Sequence, residues 1–134
     1  MDKSTVIKSD HDGTTLELSD RDGDHYRVAL NGPNFHGVCS VYAYEPASHL
    51  SAYFRDMATS WRGWQGKKEW ASLEGEFALS ATIDSTGHIS LSVRLRSGSY
   101  PYDWTLSVVL LLEAGSLDQV ARKVERFIEY DHAA

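Results

Sequence analysis

The residues of this chain that could do chemistry are few and scattered. Six histidines stand at 11, 25, 36, 49, 88 and 132, with no H-E-x-x-H pattern and no Cys/His cluster at ligand spacing, so no metal site is expected. Asp20-x-Asp22-Gly23-Asp24 begins like a calcium loop. Its sixth position is His25, where such a loop needs glycine, and its twelfth is Asn31 rather than glutamate. A turn is the better reading there and at Asp10-His11-Asp12-Gly13. No G-x-S-x-G elbow presents a serine nucleophile. Cys39 lies mid-strand among apolar neighbours, where a neutral buried thiol is the expected state. Gly63 and Gly66 follow a helical pattern rather than precede one, the wrong end for amide donors to hold a phosphate. Glu74 and Glu76 read as sharing the polar face of one strand and could act as an acid/base pair, although solvated carboxylates are the plainer expectation.

The densest constellation is W-R-G-W-Q-G-K-K-E-W, residues 61–70, which holds three of the four tryptophans. Arg62, Trp64, Lys67, Lys68 and Trp70 are the candidate binding residues, because Trp and Arg are the usual anchors of interfaces and aromatic surfaces also bind sugars or bases. The alternative is that these tryptophans roof the core where a helix meets a sheet, with their ring N–H groups bonded locally. Trp70, on the even register, is expected to point away from the odd-numbered core residues.

The elements that would position these groups follow from periodicity. Alternating apolar runs separated by Asp/Gly turns predict strands over 5–8, 14–19, 26–30 and 35–44. Leu50, Tyr53, Phe54, Met57, Ala58 and Trp61 then fall on one helical stripe, with Pro46 suited to the first turn. From 68 to 84 the apolar residues hold the odd positions across Gly75, which predicts one long strand, bent or bulged there. A half-buried strand covers 89–96. In the next, 104–113, Val109 and Leu111 add a second apolar face, which implies that both faces are covered, by the N-terminal strands or by another copy. Ser116-x-x-Gln119 resembles a capping box opening a helix whose stripe is Leu117, Val120, Ala121, Val124, Phe127 and Ile128. The order β-β-β-β-α-β-β-β-α predicts an α+β fold: one mainly antiparallel sheet of six or seven strands with two amphipathic helices on one face. With no linker or internal repeat, residues 1–134 read as a single domain.

Bulk properties narrow the partners. A 134-residue chain with 42% hydrophobic and 24% charged residues can bury a core without staples. One cysteine and the absence of a signal or spanning segment lead to an expectation of a cytoplasmic protein. The net charge of −6 argues against nucleic acid. Residues 1–45 carry eight acidic and four basic side chains, a net −4, which could steer a basic protein partner.

The run W-R-G-W-Q-G-K-K-E-W-A-S-L-E-G-E-F-A-L-S-A-T-I-D-S-T-G-H-I-S-L-S-V-R-L-R, with the later L-L-L-E-A-G-S-L and its closing helix, resembles a family of small actinobacterial proteins catalogued as a domain of unknown function, over about residues 44–130. The layout is more distantly similar to WapI-type immunity proteins, which share the first helix, a W-x-S-x-E-G-x-L-x-L strand, a G-H-I return strand and a final strand-to-helix step. That resemblance implies no catalytic residue. It implies a non-catalytic cytoplasmic protein-binding domain without a cofactor, an immunity protein that neutralises a cognate toxin. The alternatives from the residues are a small-ligand or carbohydrate-binding module, or a cryptic enzyme, built on the Trp61–Trp70 block, and a homodimer using the Val109/Leu111 face.

Overall fold

The computed structural model describes residues 4–43, 48–98 and 100–133, and the side chains of all of these but 48 and 129–133. The chain runs through β1 (Thr5–Lys8), β2 (Thr15–Asp22), β3 (His25–Asn31), β4 (His36–Tyr42) and α1 (Ser48–Thr59). It continues as β5 (Lys68–Ala71), β6 (Phe77–Ile83), β7 (His88–Arg96), β8 (Thr105–Glu113), a 3-10 turn (Ala114–Ser116) and α2 (Leu117–Ala133). The fold is α+β, but the expected single sheet is two. β1-β2-β3-β4 and β5-β6-β7-β8 each form an antiparallel four-stranded meander, and a helix follows each. Short turns let every strand pair with the next, so each meander closes locally and α1 separates them.

The extra strand comes from Gly75. Instead of one strand over 68–84, the chain reverses there with φ of 78°, and Ser72 N–H donates to the Phe77 carbonyl at 2.8 Å. Leu73 is left 60% exposed beside the turn. In the resulting hairpin Trp70 lies opposite Leu79. Cross-strand partners share a face, so Trp70 turns toward the core, the reverse of what unbroken alternation predicts. Its ring meets Phe77 edge-on with centroids 5.3 Å apart. A smaller correction falls in β2, which runs on to Asp22 through a register shift after Ser19, with Asp20 at φ 52°. The turn to β3 contracts to Gly23-Asp24.

α1 buries Leu50, Tyr53, Phe54, Met57 and Ala58, while Trp61 lies past its end and is half exposed. Pro46 and Tyr44 lie outside the described residues. α2 buries Leu117, Val120, Ala121, Val124, Phe127 and Ile128. Ser116 Oγ donates to the Glu113 carbonyl at 2.8 Å in place of the expected capping box. α2 lies against α1, β1 and β2. Arg55 of α1 bonds Glu125 twice at 2.9 Å and Asp118 at 2.8 Å, and these bonds hold both carboxyls below their ordinary pKa.

Both sheets and both helices feed one core. The β1–β2 turn closes on the outer edge of β8, where Asp10 N–H donates to the Leu111 carbonyl at 2.9 Å and Leu111 N–H donates to Ser9 Oγ at 3.0 Å. Beyond that contact the described N-terminal strands do not cover the second apolar face: Val109 is 60% exposed. No described helix is long and apolar enough to cross a membrane.

The β6–β7 turn supplies a pH test. Asp84 Oδ1 accepts the His88 N–H at 3.0 Å, the Thr86 N–H at 2.9 Å and the Thr86 hydroxyl at 2.8 Å. These bonds, that from the His88 backbone foremost, hold its pKa at about 2. Because the folded value lies below the ordinary one, the turn's contribution is full above about pH 4 and is lost as pH falls through about 2. Carboxyl NMR should show Asp84 titrating near 2, with the Thr86 and His88 amides following it. A midpoint near 4 would contradict the bonding.

Candidate functional site

The loop between β7 and β8 is built around Asp103. Its Oδ2 accepts the Tyr100 N–H at 2.9 Å and its Oδ1 accepts the Ser97 hydroxyl at 3.1 Å. Ser97 Oγ in turn accepts the Trp104 N–H at 3.0 Å, and Ser97 N–H donates to the Trp104 carbonyl at 3.1 Å. A Cβ at Gly98 would stand 2.5 Å from Asp103 Oδ2, so a side chain there would have to displace that carboxylate. These bonds hold Ser97, Tyr100, Asp103 and Trp104 to one another, and side chains held in place before a partner arrives lower the entropy cost of binding. What the loop displays is aromatic: Tyr100 is 62% exposed, Tyr102 83% and Trp104 41%. The first two rings stack nearly parallel, 5.4 Å between centroids.

Beside this tip lies an open notch of about 650 Å³, lined by Asp103, Glu74, Glu76, Tyr42, His25 and the Tyr100 end of the loop. The His25 and Tyr42 rings are 5.1 Å apart. Glu76 is bonded through both carboxylate oxygens: Oε2 accepts the Tyr42 N–H at 3.0 Å and Oε1 the Ser72 hydroxyl at 2.6 Å. Its backbone carbonyl accepts the Arg96 N–H at 2.8 Å and the Cys39 thiol at 3.7 Å. This residue therefore stitches β4 to the β5–β6 turn and to β7. Glu74 is exposed. The two glutamates flank the Gly75 turn and do not share a strand face, so the expected acid/base geometry is replaced by one structural and one solvated carboxylate. Burial, with the Glu76 charge adding to it, pushes the Cys39 thiol up to about 11, a protonated and weakly nucleophilic state at neutral pH.

The Trp61–Trp70 block is only partly gathered. Trp64 is half-buried and its ring N–H donates to the Ala81 carbonyl at 3.2 Å. Lys68 Nζ lies 5.3 Å from the Trp64 ring centroid and 2.7 Å from Asp56 Oδ2, while its carbonyl accepts the Tyr53 hydroxyl at 2.8 Å. Arg62 stacks on Trp61 at 5.2 Å, and Lys67 is exposed. Trp70 lies apart from these, on Phe77. A shallow hollow of about 520 Å³ adjoins Arg62, Trp64 and Asp84.

A family model described as a family of unknown function (DUF6228) matches residues 7–131. The chain belongs to that family. No curated protein and no solved structure matches it. The DUF6228 match takes in both meanders and both helices, including the acidic N-terminal third that the resemblance over about 44–130 leaves aside.

Within this DUF6228 chain the tip falls between the strands expected over 89–96 and 104–113, in a stretch that holds none of the candidate residues read from the sequence. The signal is Y-P-Y-D-W itself: Tyr100 and Tyr102, outside any expected strand, and Trp104, the first residue of the strand expected over 104–113, around an aspartate suited to bonding its own turn. Among the described residues, no three His, Cys, Asp or Glu side chains gather closely enough to hold a metal ion.

Proposed function

We propose that this DUF6228 protein is a non-catalytic, cytoplasmic protein-binding domain that engages a basic partner through the aromatic tip and the acidic notch beside it. The observation that carries the reading is the tip: exposed Tyr and Trp around the bonded Asp103 are the residue types that dominate binding energy when an interface closes over them. Glu74 and Asp103 beside them, in a chain of net charge −6, favour a cationic surface and speed its approach. Neutralisation of a cognate toxin by covering its active surface, the role implied by the WapI-type resemblance, is the form of this activity we favour.

The test is co-expression and co-purification with the products of neighbouring genes, followed by affinity measurement. Tyr102→Ala and Trp104→Ala should each weaken the complex by about 2 kcal/mol, roughly thirtyfold. Arg62→Ala and Lys67→Ala should leave it within about threefold, and rising salt should slow association. A complex that tolerates the tip substitutions but not those at Arg62 and Lys67 would move the interface to the Trp61–Trp70 block, and the lack of any partner would defeat the reading. A small-ligand or carbohydrate module remains the second reading, favoured by the hollow beside Trp64. Calorimetry with a glycan panel discriminates it, since only that reading expects heat without a protein partner.

A further inference from the structure

We infer that the open stretch of β8, Thr105–Val109, is a self-association edge, on which a second copy of this chain adds its own β8 antiparallel across a two-fold axis at Ser107. The inference is independent of the tip reading. Leu111 gives both its backbone groups to Ser9 and Asp10, on the side of β8 away from β7. Alternation along a strand then turns the backbone N–H and C=O of Val109, Ser107 and Thr105 to that same outer side. Native edges are ordinarily guarded by lysine, proline, a bulge or a covering segment. Here, among the described residues, the Ser9-Asp10 contact guards only the distal end. Between Thr105 and Leu112 there is no charged residue and no proline.

The occupant follows from what the strand presents to itself. With Ser107 opposite Ser107 of the second copy, Thr105 falls opposite Val109, and each of these residues exchanges both its backbone bonds with the facing strand. The intervening close pair sets Leu106 against Val108, two apolar side chains that are only half-buried in the monomer. On the outer face the 60% exposed Val109 gains a neighbour in Thr105. No charge meets a like charge along the seam, although two copies of an acidic chain repel elsewhere.

Sedimentation velocity over a concentration series on the full chain tests the inference. The wild type should pass from monomer to dimer at sub-millimolar concentration. Ser107→Pro removes an N–H that serves no bond to β7, so the meander should survive while association weakens at least about tenfold. Ser107→Lys and Ser107→Glu, at an exposed position, should each be monomeric alone and should pair when mixed. A wild type that stays monomeric throughout overturns the inference. So does a dimer that persists in S107K and S107E, which would lie on another face, and so does a mixture that fails to pair, which would remove the axis from Ser107.

Discussion

Phe77→Ala should lower the unfolding free energy by about 4 kcal/mol, and with it Tm by about 15 °C for a chain of this length. Phe77 is fully buried at the first position of β6. Its ring receives Trp70 edge-on, its backbone is bonded on both sides to Ser72, and it lies opposite Leu95 of β7. Truncation therefore removes transfer energy and opens a cavity where neighbours from β5 and β7 are held by their ladders and relax little. Urea unfolding should show a lower midpoint with an unchanged slope. Native tryptophan emission should shift red, because Trp70 loses the surface that half buries it. A loss below about 1 kcal/mol would mean that the β5–β6 hairpin is not packed as described.

Glu76→Leu should cost about 3 kcal/mol, more than the loss of an ordinary surface carboxylate, because it strands two donors. The Tyr42 N–H and the Ser72 hydroxyl both point at its oxygens. Ser72→Ala in the Glu76→Leu background removes the orphaned hydroxyl but also the acceptor of the buried Phe77 N–H, so it should not restore stability, and a double-mutant cycle reads the Glu76–Ser72 coupling directly. Glu76→Gln, which keeps one acceptor, should cost about 1 kcal/mol. The same variant has a chemical readout. The Glu76 charge adds to burial in raising the Cys39 thiol and the Tyr26 hydroxyl. Thiol alkylation followed against pH should thus show the Cys39 midpoint below about 11 in Glu76→Gln, yet still above the ordinary value because burial is the larger cause. An unmoved midpoint together with unchanged stability would remove Glu76 from its role as the stitch between the sheets.

Both predictions concern residues whose importance is hard to read from the chain. Glu76 looks like one polar position in an alternating run, and nothing local says that Tyr42, far back in sequence, will offer it an amide. Phe77 is legible as core but not as the start of a new strand. From Ala71 to Leu79 the apolar residues keep one odd-numbered phase on both sides of Gly75 by coincidence of turn length, so period two alone cannot distinguish a continued strand from a reversal. The fate of Trp70 followed from that ambiguity, because a reversal inverts which face an even-numbered residue takes. The tip was hidden for another reason: Tyr100 and Tyr102 belong to no periodic face and Trp104 reads as the start of the next strand's apolar face, so only the bonds among Ser97, Tyr100 and Asp103 reveal that they are displayed together.

What the residues determine by themselves is local and periodic. The stripes of α1 and α2, the alternation in β3, β6 and β7, and the glycine turns at 13, 23 and 87 each depend on neighbours a few positions away, and helix and strand geometry convert that spacing into a buried face. Tertiary structure alone decided that the β1–β2 turn meets β8 while Glu76 meets β4, and that the described residues leave the Thr105–Val109 edge open. Those outcomes depend on which distant backbone groups find each other once the core collapses, and hydrogen-bond partners chosen across a hundred residues leave no period in the sequence.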